Sequence, residues 1–259
     1  MINKTVGFIG SGRVTRIMLG GFKKAGKMPQ QVVVSDTNLE VLNNLKAMFP
    51  EISIAPNDNT QPAACDLVFV ALHPPLVKEV LSAVRSQVRS EALLISLVPK
   101  VTIATLSEIL GGFHRIARVI PNAPSIINSG YNPVALAPAF PKTNRAEFFE
   151  MLRILGECPE VEEDKLEAYA ILTAMGPTYL WFQLYELQEL GKSFGLTEHE
   201  VATGIRQMVK GAANTMSESG LSPAEVMDLV PVKPLGEDEA TIKNLYQTKL
   251  TALFKKLKS

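Results

Sequence analysis

The stretch that most constrains this chain is its start. Val6-Gly7-Phe8-Ile9 is a short apolar run, Gly10-Ser11-Gly12 follows, and from Arg13 to Lys24 the apolar positions Val14, Ile17, Met18, Gly21 and Phe22 recur at three and four residues. The run predicts a buried strand and the spacing predicts an amphipathic helix. A strand, a Gly-x-Gly turn and a helix in that order open a dinucleotide-binding βαβ unit. Gly10 permits a backbone turn that other residues resist. Gly12 has no side chain, so the backbone can approach a pyrophosphate, and the free N–H groups at the helix start bind the anion. Gly10, Ser11, Gly12, Arg13 and Val14 are therefore the candidate phosphate cradle. The third position of the fingerprint holds Thr15 where Gly or Ala is usual, which is expected to loosen the helix against the strand.

Gln31 to Asp36 reads as a second buried strand. Its last residue stands 26 positions past Gly10. A carboxylate near that spacing accepts hydrogen bonds from an adenosine ribose and repels a 2′-phosphate. Asp36, with Thr37 beside it, is the candidate ribose site. The cofactor is then NAD or NADP, with NAD favoured by Asp36 and Arg13 partly offsetting that preference. The plainer reading is that Asp36 caps the helix that follows, a task that Thr37 or Asn38 can also perform.

Leu39–Phe49 is expected as a helix and Ile52–Ile54 as a short strand. Asp66–Leu72, continuous and apolar, suits the centre of a parallel sheet covered on both faces. Strand ends in such sheets face the ligand crevice, which makes Ala71, Leu72 and His73 candidate cofactor contacts. His73 reads more readily as pocket lining than as a catalytic group. A helix is expected from Pro74 through Val88, a strand at Ala92–Val98, a helix at Val101–Leu110 stopped by Gly111-Gly112, and a strand at Arg115–Ile120. Two prolines flank Asn122 in Pro121-Asn122-Ala123-Pro124, fixing its amide as a positioned donor and acceptor. Tyr131–Ala137 and Cys158–Val161 are expected as strands, with a helix over Asn144–Leu155 between them.

The composition changes near residue 162, and only helical patterns follow. Asp164–Gly191 reads as a long helix interrupted at Gly176-Pro177. Thr197 with Glu200 three residues later is a capping box that opens a helix running to Glu218. Ser222–Leu229 and Ala240–Leu257 are further helices. The expected plan is a Rossmann-type, mostly parallel α/β sheet domain over residues 1–161 and an all-α dimerisation domain over 162–259. A small polar substrate is expected where the two meet. Apolar faces on those helices suggest a homodimer or higher homo-oligomer.

Lys+Arg and Asp+Glu are equal at 26 each, so there is no electrostatic footprint for nucleic acid. Cys65 and Cys158 lack partners at metal-ligand spacing, so no metal is expected. The chain starts on a strand without a basic-then-apolar leader, and no apolar run reaches the length of a membrane span. A soluble, cytoplasmic protein is expected.

Four segments, in matching order and spacing, resemble the pyrroline-5-carboxylate reductase family over nearly the whole chain. They are Gly7-Phe8-Ile9-Gly10-Ser11-Gly12, Val70-Ala71-Leu72-His73-Pro74, Arg118-Val119-Ile120-Pro121-Asn122-Ala123-Pro124, and Thr173-Ala174-Met175-Gly176-Pro177-Thr178-Tyr179. The resemblance implies hydride transfer from a nicotinamide to a cyclic imine bearing a carboxylate, giving L-proline. It places Thr173 and Asn122 as candidates at the reacting imine, and Met175, Gly176 and Tyr179 at the substrate. The chain departs from the family pattern in four places. Thr173 and Met175 replace two serines; Val232–Asp238 replaces a threonine-containing loop; His73 stands in the strand-four turn where Lys is common; and Pro99-Lys100 follows strand five where a small residue is usual. Two other classes share parts of this plan. A non-catalytic dinucleotide-binding homologue fits the altered loop, while the intact loop at Asn122 speaks against it. A β-hydroxyacid dehydrogenase calls for a lysine at the centre of the long helix, where this chain has none.

Overall fold

The computed structural model describes residues 4–258. Its nine strands are β1 (Thr5–Ile9), β2 (Gln31–Asp36), β3 (Ser53–Pro56), β4 (Leu67–Val70), β5 (Leu93–Ser96), β6 (Ile116–Val119), β7 (Gly130–Tyr131), β8 (Val134–Leu136) and β9 (Gly156–Glu157). Seven form one sheet in the order β3-β2-β1-β4-β5-β6-β8. All its pairings are parallel except that of β8 with β6. The chain reverses direction across the sheet between β1 and β4. That is the switch point at which open α/β sheets bind ligands.

The central strands are buried on both faces, as their unbroken apolar runs require. On one face Phe8, Phe69 and Ile95 pack with residues of α1 (Arg13–Lys24), α2 (Leu39–Met48) and α6 (Lys142–Arg153). Phe8 and Phe69 stack with ring centroids 4.7 Å apart. On the other face Ile9, Val70 and Leu94 pack with residues of α4 (Val77–Ala83), α5 (Ile103–Ile109) and α7 (Leu166–Tyr169). Each fully buried large apolar side chain contributes about 1.5–3 kcal/mol.

The helix α1 has the bounds its periodicity predicts. Thr15 behaves differently from expectation. It is completely buried, and its hydroxyl donates to the Gly10 carbonyl at 2.7 Å. The side chain ties the helix to the turn that precedes it instead of loosening it.

Several elements differ from their sequence patterns for local reasons. A short helix, α3 (Thr60–Ala63), is too brief to show a period. The expected helix after Pro74 begins as a 3₁₀ turn, Pro74–Leu76, and α4 stops at Ala83. The strand expected over Tyr131–Ala137 divides at Asn132-Pro133. Its first part pairs with β9 and its second with β6. The strand expected at Cys158–Val161 is displaced to β9, leaving one isolated bridge between Val134 and Glu160. Asn132 drives the division: its buried carboxamide oxygen accepts from the Asn122 N–H and the Ser125 hydroxyl.

The chain divides into two compact units, and the first runs through Met175 and regains the segment from Phe254. It continues past the composition change at 162 because Leu166 and Ala170 are buried in its second core. Around Gly176-Pro177 the expected kink takes a specific form. A π-turn over Ala170–Ala174, closed by the Met175 N–H on the Ala170 carbonyl, precedes the restart of helix at Gly176.

The second unit is built from α8 (Gly176–Ser193), α9 (Glu198–Glu218), α10 (Pro223–Asp228) and most of α11 (Glu239–Lys258). Capping boxes at Thr197/Glu200 and Ser222/Glu225 start α9 and α10. Among the described residues of these four helices, Val201 alone is buried. Phe182, Tyr185, Phe194 and Met216 are 66–78% exposed. So much bared apolar surface marks a protein-interaction face. No helix among the described residues is long and apolar enough to cross a membrane.

If Thr15 ties helix to turn, Thr15→Val removes one buried hydrogen bond at nearly constant volume. The expected cost is about 1 kcal/mol in urea unfolding. An unchanged midpoint would contradict the role assigned to the hydroxyl.

Candidate functional site

The carboxyl ends of β1, β2, β4, β5 and β6 present five short connections on one edge of the sheet. The connection after β1 is the tightest. Gly10 has φ +107°, a conformation that L side chains rarely adopt. A Cβ there would lie 2.4 Å from the Ala71 carbonyl oxygen just beyond β4. Gly12 differs: its φ is −69°, and an added Cβ would meet nothing within 4 Å. Packing of the protein does not demand a glycine at position 12, and the space beside it is open. Gly12 is the N-cap of α1, and no side chain caps the helix. The first N–H groups of α1 lack intrahelical partners, as in any helix. An open cradle with unused donors at a helix N-terminus fits the pyrophosphate of a dinucleotide.

Asp36 at the end of β2 is joined to this turn. One of its carboxylate oxygens accepts from the Ser11 N–H at 2.8 Å and the Ser11 hydroxyl at 2.7 Å, and the other accepts from the Asn38 N–H. Burial raises the Asp36 pKa, but hydrogen bonds from Asn38, Ser11 and Thr37 together outweigh it. The carboxyl is held below its ordinary 3.8 and is ionised at neutral pH. The cap of α2 is Asn38, whose side chain accepts from the Val41 N–H, so Asp36 is not needed as a cap. The structure thus brings Ser11 and Asp36 into contact. It also leaves the Ser11 N–H already engaged, while Arg13 and Thr37 are exposed.

Ala71 and Leu72 follow β4 half-buried, and His73 is exposed at the start of the 3₁₀ turn. Asn122, after β6, is 8% exposed and heavily used. Its carboxamide oxygen accepts from the Tyr131 N–H at 3.0 Å, and its amide donates to the Thr173 carbonyl at 3.4 Å. The Thr173 hydroxyl donates to the Tyr169 carbonyl at 2.8 Å. Asn122 and Thr173 are therefore neighbours, with Thr173 in the π-turn, a backbone irregularity frequent at functional sites. Met175 ends the first unit, whereas Gly176 and Tyr179 belong to the second. There Tyr179 packs edge-on against Tyr246, and burial followed by that neighbour pushes its phenol above the usual value of 10.

A second polar cluster escapes sequence reasoning. Arg118 on β6 is 1% exposed. Its guanidinium donates to Glu163 at 2.9 Å and Glu167 at 2.7 Å. Two carboxylates against one cation leave a negative excess, which backbone donors offset: the Lys100 N–H reaches Glu167 and the Ile103 N–H reaches Glu163. Burial raises the Glu167 pKa, yet the hydrogen bond and charge of Arg118 and the Lys100 N–H hold it below the ordinary 4.5. Partners 45 and 49 residues away leave no local pattern to find.

Comparisons with known proteins accord with this geometry. Residues 5–100 match the family described as NADP oxidoreductase coenzyme F420-dependent, and residues 163–258 match pyrroline-5-carboxylate reductase dimerisation. The pyrroline-5-carboxylate reductase of Methanosarcina acetivorans is 26% identical over 255 residues, 98% of this chain and 94% of that one. The chain is similar to pyrroline-5-carboxylate reductases along nearly its whole length. Among solved structures, the family member from Coxiella burnetii superposes with a TM-score of 0.69 at 28% identity, covering 98% of this chain and 94% of that one. The Plasmodium falciparum enzyme with NADP bound gives a TM-score of 0.79 at 20% identity, over 100% of this chain and 98% of that one, a likeness of fold. The dimerisation family that the helical region matches is consistent with its exposed apolar faces.

Breaking the buried cluster from its cationic side is expected to be costly. Arg118→Met leaves Glu167 buried and unpaired, a change worth about 3–5 kcal/mol in chemical unfolding. In the wild type, Glu167 contributes stability above its ordinary pKa of 4.5 and loses it as pH falls through the lower folded value. A variant as stable as the parent at neutral pH would show that the pair carries no weight.

Proposed function

We propose that this protein is an NAD(P)H-dependent reductase of the pyrroline-5-carboxylate type, reducing the C=N bond of the cyclic imine 1-pyrroline-5-carboxylate to give L-proline in the cytoplasm. Similarity to the family's reductases over nearly the whole chain, with the dimerisation model matching 163–258, carries the reading. The open glycine cradle at the switch point supports it independently. When bound, the dihydronicotinamide supplies the hydride that adds to the imine carbon.

The chain's own task is placement. Gly10, Ser11, Gly12, Arg13 and Val14 hold the pyrophosphate at the α1 N-terminus. Asp36 and Thr37 receive the adenosine ribose, while Ala71, Leu72 and His73 line the crevice beyond it. Because Ser11 already takes one Asp36 oxygen, the aspartate acts on cofactor choice chiefly through its charge, which opposes a 2′-phosphate. NADH is preferred on this reading, with Arg13 narrowing the margin. Asn122 and Thr173 border the imine. Their hydrogen bonds to Thr173, Tyr131 and Tyr169 fix their positions, and neither side chain titrates near neutral pH. The proton for the imine nitrogen therefore comes from water. Met175, at the end of the same unit, adds a further substrate contact. The protein works as a homo-oligomer assembled through its C-terminal helices.

The test is oxidation of NADH and NADPH by the purified protein with 1-pyrroline-5-carboxylate present. Turnover with both, faster with NADH, is expected. Asp36→Ser should then shift the ratio of kcat/KM toward NADPH by about tenfold. No turnover with either cofactor contradicts the reaction, and an unchanged ratio contradicts the role of Asp36.

A further inference from the structure

We propose that Asn132 is a positioning residue for the reduction, acting through Asn122, an inference that rests on the role given to Asn122 above. Asn132 stands between β7 and β8 and is 1% exposed. Its carboxamide oxygen accepts from the Asn122 N–H at 3.1 Å and from the Ser125 hydroxyl at 2.8 Å. In return, the Asn122 carboxamide oxygen accepts from the Tyr131 N–H at 3.0 Å. Each asparagine thus spends its side-chain oxygen on a backbone N–H from the other end of the loop, and together they close residues 122–132 into a ring. Asn132 is itself anchored to β9, where its N–H donates to the Glu157 carbonyl at 2.8 Å.

The ring is seated on α1. A Cβ added to Gly21 would lie 2.3 Å from the Ser125 carbonyl oxygen, so helix and loop approach as closely as only a glycine allows. The Asn128 amide donates to the Gly21 and Ile154 carbonyls, both at 2.8 Å. The loop is therefore fixed to the helix whose N-terminus forms the dinucleotide cradle. With its backbone held by Asn132, the Asn122 side chain spans from the Tyr131 N–H to the Thr173 carbonyl, 51 residues away in sequence. Loss of the Asn132 oxygen would strand the Asn122 N–H in the interior, and the loop would have to shift to find it another partner. A displacement of about 1 Å at a group that places substrate costs up to about a hundredfold in rate.

The experiment measures kcat and KM with NADH and 1-pyrroline-5-carboxylate for wild type, Asn132→Leu, Asn122→Ala and the double variant. Asn132→Leu nearly keeps the volume and removes the oxygen. Its kcat is expected to fall about tenfold or more, with the KM for NADH within about threefold of wild type. Asn122→Ala lowers kcat by itself, and in that background Asn132→Leu is expected to cost less than about twofold more, because the side chain through which it acts is gone. Asn128→Gly is the structural control. It keeps φ +63°, removes two hydrogen bonds of the same loop, and should lower the thermal midpoint with kcat within about twofold of wild type. Asn132→Asp keeps an acceptor for both donors and is expected within about threefold of the wild-type kcat, a measurement that stands even where Asn132→Leu does not fold. A wild-type kcat in Asn132→Leu overturns the inference, as does an undiminished fall in the Asn122→Ala background, a fall of about tenfold in Asn132→Asp, or an equal loss in Asn128→Gly. Asn122→Ala with the wild-type kcat removes the role of Asn122 and this inference with it, and leaves the reaction standing. A wild type without turnover overturns the reaction, and the inference falls too.

Discussion

The turn between β1 and α1 is the constraint on which the remainder of the site depends. Gly10 reaches φ +107° under the Ala71 carbonyl, where any side chain would collide. Three contacts then fix the turn from different directions. Gly10 N–H donates to Ser35 on β2, Thr15 on α1 donates to the Gly10 carbonyl, and Ser11 donates twice to Asp36. Strand pairing, helix packing and an ionised carboxylate thus converge on two adjacent residues, Gly10 and Ser11. Because the turn is held from outside itself, the α1 N-terminus stays uncapped and its donors remain available. A preorganised anion cradle avoids ordering costs when the cofactor arrives.

The opposite end of the same edge is organised by charge. Arg118, Glu163 and Glu167 occupy a place where apolar side chains would serve stability equally well. Their geometry suggests a different use. Glu167 and Glu163 spend their surplus acceptors on the N–H groups of Lys100 and Ile103, so the cluster fixes the shape of the connection after β5. It also fastens the segment 163–174, which carries the Thr173 π-turn, to β6. One buried network therefore holds both the connection after β5 and the segment that leads to Thr173. The helical second unit obeys another logic. With Val201 its one buried residue among those described, it has almost no core of its own and leaves large apolar side chains exposed.

Much of the fold was legible because it follows local periodicity. Val14, Met18 and Phe22 predict α1 to the residue, and the capping residues Thr197 and Ser222 mark where α9 and α10 begin. Gly10 and Gly12 announce their turn. What stayed hidden depends on pairing across the chain. Asp36 meets Ser11 because β2 lies in register beside β1, with Ile9 opposite Ser35, a fact that no window of sequence contains. Thr15 looked like a mismatch since its value lies in a single hydrogen bond to Gly10. Arg118 looks like any charged residue until β6 is buried. Asn132 splits a strand through contacts with Asn122 and Ser125 that only the folded loop creates. The π-turn shows a similar limit: Pro177 flags a break, but its form depends on the packing of Leu166 and Ala170.

The central claim is hydride transfer to a C=N bond. Incubating the protein with 1-pyrroline-5-carboxylate and NADH deuterated at C4 of its nicotinamide, followed by mass spectrometry of the product, addresses it most directly. The account predicts L-proline carrying one deuterium on the ring carbon next to nitrogen. Recovery of the imine unreduced, or of proline without the label, would contradict it.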